Sequence, residues 1–156
     1  MGLYENMLTE PISRLALRQA ITVEPELSVR DAVLRMREKK LGCVIVIDGQ
    51  QKPLGMFTEA MLRIKLIESR GILDDSVQNH MARQFPLAQA DDPIVTVLEL
   101  MQAENHRFVC VVDQAGKIVG LTGQKGLMEY IADHFPQLVM TQRAGAKPPL
   151  TDREGA

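Results

Sequence analysis

The chain is written twice, and that repetition limits its fold more than any other feature. Moved by 65 residues over itself, "SVRDAVLRM" (28–36) lies on "PIVTVLELM" (93–101), "CVIVID" (43–48) on "FVCVVD" (108–113) and "KPLG" (52–55) on "KIVG" (117–120). Residues 21–62 align with 86–127 without a gap. The identical pairs are Met36/Met101, Val44/Val109, Val46/Val111, Asp48/Asp113, Lys52/Lys117, Gly55/Gly120 and Leu62/Leu127. A unit of about 60 residues buries too little surface to be stable alone. Two such units in tandem must therefore share their apolar faces.

Each copy parses in the same order. A short extended segment (20–23; 86–90) leads to a helix start. Ser28 and Asp31 form a Ser-x-x-Asp capping arrangement in the first copy, and Asp92 with Pro93 is the expected cap in the second. Val29, Ala32, Val33 and Met36 share one helical face, as do Ile94, Val97, Leu98 and Met101. An unbroken β-branched run follows, as expected of a strand covered on both faces. Turns at 49–51 and 114–116 join it to a second strand at 54–57 or 118–121. A closing helix spans 58–69, stopped by Gly71, or 123–135, stopped before Pro136. The expected fold is therefore mixed α/β (α+β): two β-α-β-β-α units packed sheet against sheet around a pseudo-two-fold axis. That packing leaves two equivalent clefts, each where one copy's final helix approaches the other copy's first strand. The divisions are an N-terminal extension over 1–11 that includes a short helix, repeats over 12–71 and 72–138, and a flexible tail over 139–156.

Composition narrows the function. The chain of 156 residues is 46% hydrophobic and 4% aromatic with no Trp, so aliphatic side chains build the interior. A formal net charge of −2 argues against a nucleic-acid-binding face. No apolar run reaches membrane-spanning length and no signal pattern opens the chain, which makes a cytoplasmic protein the default. Cys43 and Cys110 each sit in an apolar run and read as small buried hydrophobes. His80, His106 and His134 have no metal-ligand spacing, and no nucleophile or acid–base pair stands out, so the chain does not read as an enzyme.

The order of the units, "V-x-P-x-x-S-V-x-D-A-x-x-x-M" (23–36), "VIVID" (44–48) and "GMFTE" (55–59) resemble a CBS domain. "VQNHM" (77–81) resembles that family's lead-in before the second repeat, and "ISRL" (12–15) lies over it. Two copies resemble the tandem pair called a Bateman module. The resemblance implies a regulatory module, without catalytic cofactor, that binds AMP, ADP, ATP, NAD or S-adenosylmethionine in its clefts. It also implies a homodimer that signals to a regulated partner protein. A ligand-free dimeric interaction scaffold with degenerate clefts is the alternative.

The resemblance also nominates residues. The family carries G-x-x-[Ser/Thr]-x-x-Asp where the last strand meets the last helix, and its Asp holds the ribose hydroxyls. Here the first copy reads Gly55-Met-Phe-Thr58-Glu-Ala-Met61 and the second Gly120-Leu-Thr122-Gly123-Gln-Lys125-Gly126. Thr58 matches, whereas Met61 and Gly126 replace the carboxylate. The glycine series matches neither dinucleotide nor phosphate-loop spacing, and reads as close-packing punctuation with Lys125 as a possible anion partner. The cleft beside Phe57, Thr58 and Met61 is expected to be completed by Leu87, Arg107, Phe108 and Val109. The cleft beside Thr122, Gly123 and Lys125 is expected to be completed by Ala20, Ile21, Gly42 and Cys43. Thr58 is the favoured ligand contact. "MLRIKLI" (61–67) carries more apolar residues than one core face needs, which nominates a dimer contact.

Overall fold

The computed structural model describes residues 2–104 and 106–135. A short helix α1 (Leu3–Thr9) and a 3-10 turn (Ile12–Arg14) precede the repeats. The first repeat is β1 (Thr22–Val23), α2 (Val29–Lys39), β2 (Cys43–Ile47), β3 (Pro53–Thr58) and α3 (Glu59–Glu68). The second is β4 (Leu87–Gln89), α4 (Val95–Glu104), β5 (Phe108–Val112), β6 (Ile118–Gly123) and α5 (Gln124–His134). Each forms a three-stranded sheet in which the first strand is parallel to the second and the second antiparallel to the third. The β-α-β-β-α order is thus present twice. The described residues end at Phe135, so the expected tail over 139–156 lies outside them.

The duplication extends to fine detail. Both hairpins shift register at the same place, between Val46 and Ile47 and between Val111 and Val112. Both turns are tied by an aspartate. Asp48 Oδ1 accepts the Gln50 and Lys52 N–H groups, and Asp113 Oδ1 those of Ala115 and Lys117, all at 2.8–3.0 Å. Both turns also need a residue at positive φ: Gly116 supplies it freely at 86°, whereas Gln51 holds it at 65°.

Ser28 caps α2 as its spacing implied, accepting the Asp31 N–H at 3.1 Å. Asp92 does not cap α4. Its carboxylate folds back to the Gln89 N–H at 2.9 Å, and the helix starts only at Val95. The aspartate satisfies the donor already close to it, and the following Pro93–Ile94 turn uses backbone carbonyls instead.

The two repeats exchange their lead-in segments. Arg18 pairs with Leu121 in β6 through two 2.8 Å backbone hydrogen bonds, and Ala82 pairs with Met56 in β3 at 2.8 and 2.9 Å. The core follows this exchange. Ile12 and Leu15 are buried with Ala88, Ile94, Val97 and Val109 of the second repeat, whereas Ile72 and Val77 are buried with Val44, Ile45 and Phe57 of the first. α1 joins the second core through Met7, and its end is fixed by Tyr130 Oη donating to Glu10 and by an Asn6 Nδ2–His134 Nδ1 contact of 3.3 Å. The segment from Leu3 to Glu10 is thus part of the packed body.

Cys43 and Cys110 are free and fully buried in one core, as their apolar runs implied. Burial raises both thiols, Cys110 to about 12 and Cys43 higher, with Cys110 adding to the effect on Cys43. α3 packs weakly, leaving Ile64 61% and Ile67 87% exposed, which agrees with the surplus of apolar residues read at 61–67.

Candidate functional site

The two expected clefts appear as one. Among the described residues, one cleft of about 1060 Å³ takes in the starts of both closing helices, α3 and α5, so the linings expected of the two clefts are continuous. The registers explain the merger. Cys43 lies opposite Thr58 and Phe108 opposite Gly123, so each β-strand start sits beside the helix start of its own repeat. The interlocked repeats then bring the two pairs to a common opening.

The helix starts differ in chemistry. Thr58 caps α3, its Oγ1 accepting the Met61 N–H at 3.2 Å. Gly123 precedes α5 and offers no side-chain cap. The first N–H groups of α5 therefore remain available at the cleft, where a helix start favours negative charge. Beside them stands Thr122, only 5% exposed, whose Oγ1 is buried without a hydrogen-bond partner. A buried hydroxyl left unpaired costs free energy, so its satisfaction by a ligand atom is worth more than an exposed contact.

The glycine series has a specific packing cause at each position. A Cβ on Gly120 would meet the Arg18 carbonyl and Leu17 Cβ at 3.0 Å, on Gly123 the Arg107 carbonyl, and on Gly126 the Thr122 Oγ1 at 2.7 Å. The last contact bears on the missing carboxylate. Thr122 Oγ1 fills the space into which a side chain at position 126 would start.

Of the nominated residues, Gly42, Thr58, Arg107, Phe108, Thr122, Gly123 and Lys125 line the cleft. The remaining seven do not. Cys43, Phe57 and Val109 are fully buried in the cores, because the strands that carry them are covered on both faces. Ile21 is buried in the first core, and Ala20 and Met61 are half-buried against it. Leu87 is 46% exposed on β4, away from the cleft. Position on a strand start did not by itself predict which neighbours face the cleft.

Residues that the sequence reading passed over complete the wall. Ala16, Leu17 and Arg18 line it because their segment crosses to β6. Lys40 lines it from the end of α2, held at φ 53° in the left-handed region. Arg63 and Glu59 extend from α3, and Glu129 from α5. Arg18, Lys40, Arg63, Arg107 and Lys125 face only Glu59 and Glu129, an excess of three positive charges in a chain of net charge −2. None of those five cations forms an ion pair among the described residues. The repeat offset placed "ISRL" over the second lead-in, and that was the available signal for the crossing segment.

Comparison with known proteins decides the family. The CBS domain model matches residues 12–68 and again 76–133. The chain belongs to the CBS domain family. An uncharacterized 17.7 kDa protein of Acidianus ambivalens is 25% identical over 122 residues, which cover 78% of this chain and 73% of the relative. Arabinose 5-phosphate isomerase of Shigella flexneri is 33% identical over 93 residues, 60% of this chain but 29% of that enzyme. Among solved structures, an uncharacterized conserved protein from Pyrococcus horikoshii aligns with a TM-score of 0.70 at 26% identity, covering 80% of this chain and 93% of that one. The CBS domain pair of protein MJ0100 aligns with a TM-score of 0.70 at 18% identity, covering 81% and 98%. This CBS pair therefore shares the fold of other tandem pairs. No helix among its described residues is long and apolar enough to cross a membrane.

Proposed function

We propose that the cleft is a regulatory binding site for an adenine nucleotide or adenosyl ligand, with AMP, ADP, ATP, NAD and S-adenosylmethionine as candidates. The observation that carries this reading is the buried, partnerless hydroxyl of Thr122 at the uncapped start of α5. The MJ0100 pair, solved in complex with 5'-methylthioadenosine and S-adenosyl-L-methionine, supports an adenosyl ligand for this fold. Thr122, Arg107 and Lys125 join Thr58 as the favoured contacts: Thr58 Oγ1 accepts the Met61 N–H and keeps its own proton for a ligand atom.

The role is regulatory, without catalysis by the pair itself. Ligand joins the two repeats at their shared cleft, and the change is passed to a partner protein in the cytoplasm. The exposed apolar ridge of Ile64 and Ile67 on α3 supports a homodimer. Thermal melting across the five candidates tests the reading. A ligand at 100 times its dissociation constant stabilises by about 2.7 kcal/mol. Absence of any shift at millimolar concentration removes the nucleotide function and favours the ligand-free scaffold.

A further inference from the structure

We propose that α1 is a latch that reports the state of the cleft: α5 carries cleft residues at one end and holds α1 at the other, so a shift of α5 is felt at both. The signal rests on the reading of the cleft as a ligand site, whereas the link between α5 and α1 is measurable on the free chain.

Gln124, Lys125 and Glu129 of α5 line the cleft. Tyr130 and His134, one turn apart, hold α1: Tyr130 Oη donates to Glu10, and His134 Nδ1 meets Asn6 Nδ2 at 3.3 Å. Between these ends α5 is lightly anchored, burying only Gly126 and Leu127, and its start has no side-chain cap. α1 has seven residues and one buried side chain, Met7. An isolated helix needs roughly 12–15 residues to persist in water, so α1 is helical only while docked.

The duplication supplies its own control. Met7 and Glu10 have counterparts 65 residues on in Ile72 and Asp75, and Met7 and Ile72 are both buried. The backbone fastening is the same in the two copies: the Ile94 N–H donates to the Glu10 carbonyl and the Val29 N–H to that of Asp75, each at 2.9 Å. The side-chain fastening differs. Asp75 turns to His80 at 2.7 Å, and Gly71, Lys65 and Ser69 stand where the other copy has Asn6, Tyr130 and His134. Among the described residues, no side-chain hydrogen bond joins α3 to the 70–74 turn. Backbone pairing and one buried side chain therefore suffice to seat such a segment. The polar pairs to α5 are additional, and they fall on the closing helix whose start is uncapped.

Amide hydrogen exchange of the full chain tests the latch, with Asn6→Ala/Tyr130→Phe as the cut and ATP and S-adenosylmethionine as probes. Without either probe, the cut should speed exchange roughly tenfold in Leu3–Thr9 and about threefold in residues 124–127, and leave the matching start of α3 (59–62) unchanged. Coupling is reciprocal, so a probe that binds should slow exchange in α1 of the parent, and the cut should weaken that probe by about fivefold in calorimetry. Lys65→Ala/Ser69→Ala, at the same places in the first repeat, should change neither. Melting curves confirm that each variant is folded, and Asn6→Ala alone is the milder cut if the double variant is not. Faster exchange in α1 alone, with residues 124–127 and probe affinity unchanged, overturns the latch while the adenosyl reading stands. A probe that binds without slowing α1 overturns it likewise. If neither probe binds but the cut loosens residues 124–127, the latch is retained and the adenosyl reading loses its support. If neither binds and residues 124–127 are unchanged, both fall.

Discussion

Thr122→Val is the most informative single change. Valine has nearly the shape of threonine, retains the β-branched fit to β6, and removes only the hydroxyl that lacks a partner. Leaving a buried donor unsatisfied costs about 1–3 kcal/mol, so the variant should be more stable than the parent by about that amount without ligand. Unfolding entropy is about 2.1 cal/mol/K per residue, so for 156 residues each kcal/mol moves Tm by about 3 °C. The expected rise is therefore about 3–9 °C by calorimetry. Ligand should reverse the order. The variant should bind ATP more weakly, because the group that gained its first partner in the complex is gone. Thr122→Ser separates the two effects: it retains the hydroxyl and loses a methyl, so it should be less stable yet still bind. A Thr122→Val protein of unchanged or lower Tm with unchanged affinity would refute the argument that this hydroxyl awaits a ligand.

Four further outcomes follow from the geometry. Gly126→Ala should destabilise the chain, because its Cβ meets Thr122 Oγ1 at 2.7 Å, and Thr122→Ala should relieve part of that cost. A double-mutant cycle by urea titration should show coupling of about 1 kcal/mol, and simple additivity would deny the contact. Gln51→Gly, away from the cleft, should stabilise by about 1 kcal/mol, since the second repeat already places Gly116 at that turn position. Lys40→Gly should gain stability for the same left-handed reason but weaken ATP, and a gain in affinity would exclude Lys40 from anion binding. Tyr130→Phe, which removes the bond to Glu10, should cost about 1 kcal/mol and loosen α1, read as faster amide exchange in Leu3–Thr9.

Two titrations mark the pH limits. The Lys52 and Gln50 N–H groups hold Asp48 below its ordinary 3.8. A lowered folded pKa means that its stabilising contribution is present above that ordinary value and lost as pH falls through the lowered one. Burial, reinforced by Glu10, pushes Tyr130 up to about 12 from 10. Its contribution is therefore complete below pH 10 and lost as pH rises through about 12. Asp48→Asn and Tyr130→Phe should each flatten their own limb of the stability–pH curve.

The strand and helix order was legible in the sequence because its causes are local. Ser28 three residues before Asp31, Asp48 and Asp113 at the head of each turn, and uninterrupted β-branched runs act over a few residues. The turn aspartates and the β-branched runs were also stated twice, so one copy confirmed the other. Asp92 shows where local reasoning stopped. Its position suits a cap, but the Gln89 N–H lay within reach of the same carboxylate, and only coordinates rank two local partners.

The site divided along the same line. Thr58 as a helix cap, Arg107 and Lys125 could be nominated from motif positions, and all three line the cleft. Cys43, Phe57 and Val109 were nominated with equal reason and are sealed in the cores. The facing of a strand start depends on what covers it, and that cover comes from residues far away in the chain.

By itself, the sequence determined a duplicated β-α-β-β-α unit, its aliphatic cores and the presence of Met61 and Gly126 where the resemblance expects a carboxylate. Only the tertiary structure decided that the lead-ins exchange, through Arg18 with Leu121 and Ala82 with Met56, and that two nominal clefts become one. The physical reason is that periodicity and capping are short-range, whereas a cleft is defined by backbone pairings between segments that no sequence interval announces. The unpaired Thr122 hydroxyl belongs to the second kind: its residue type is read at once, but its want of a partner exists only after everything around it has packed.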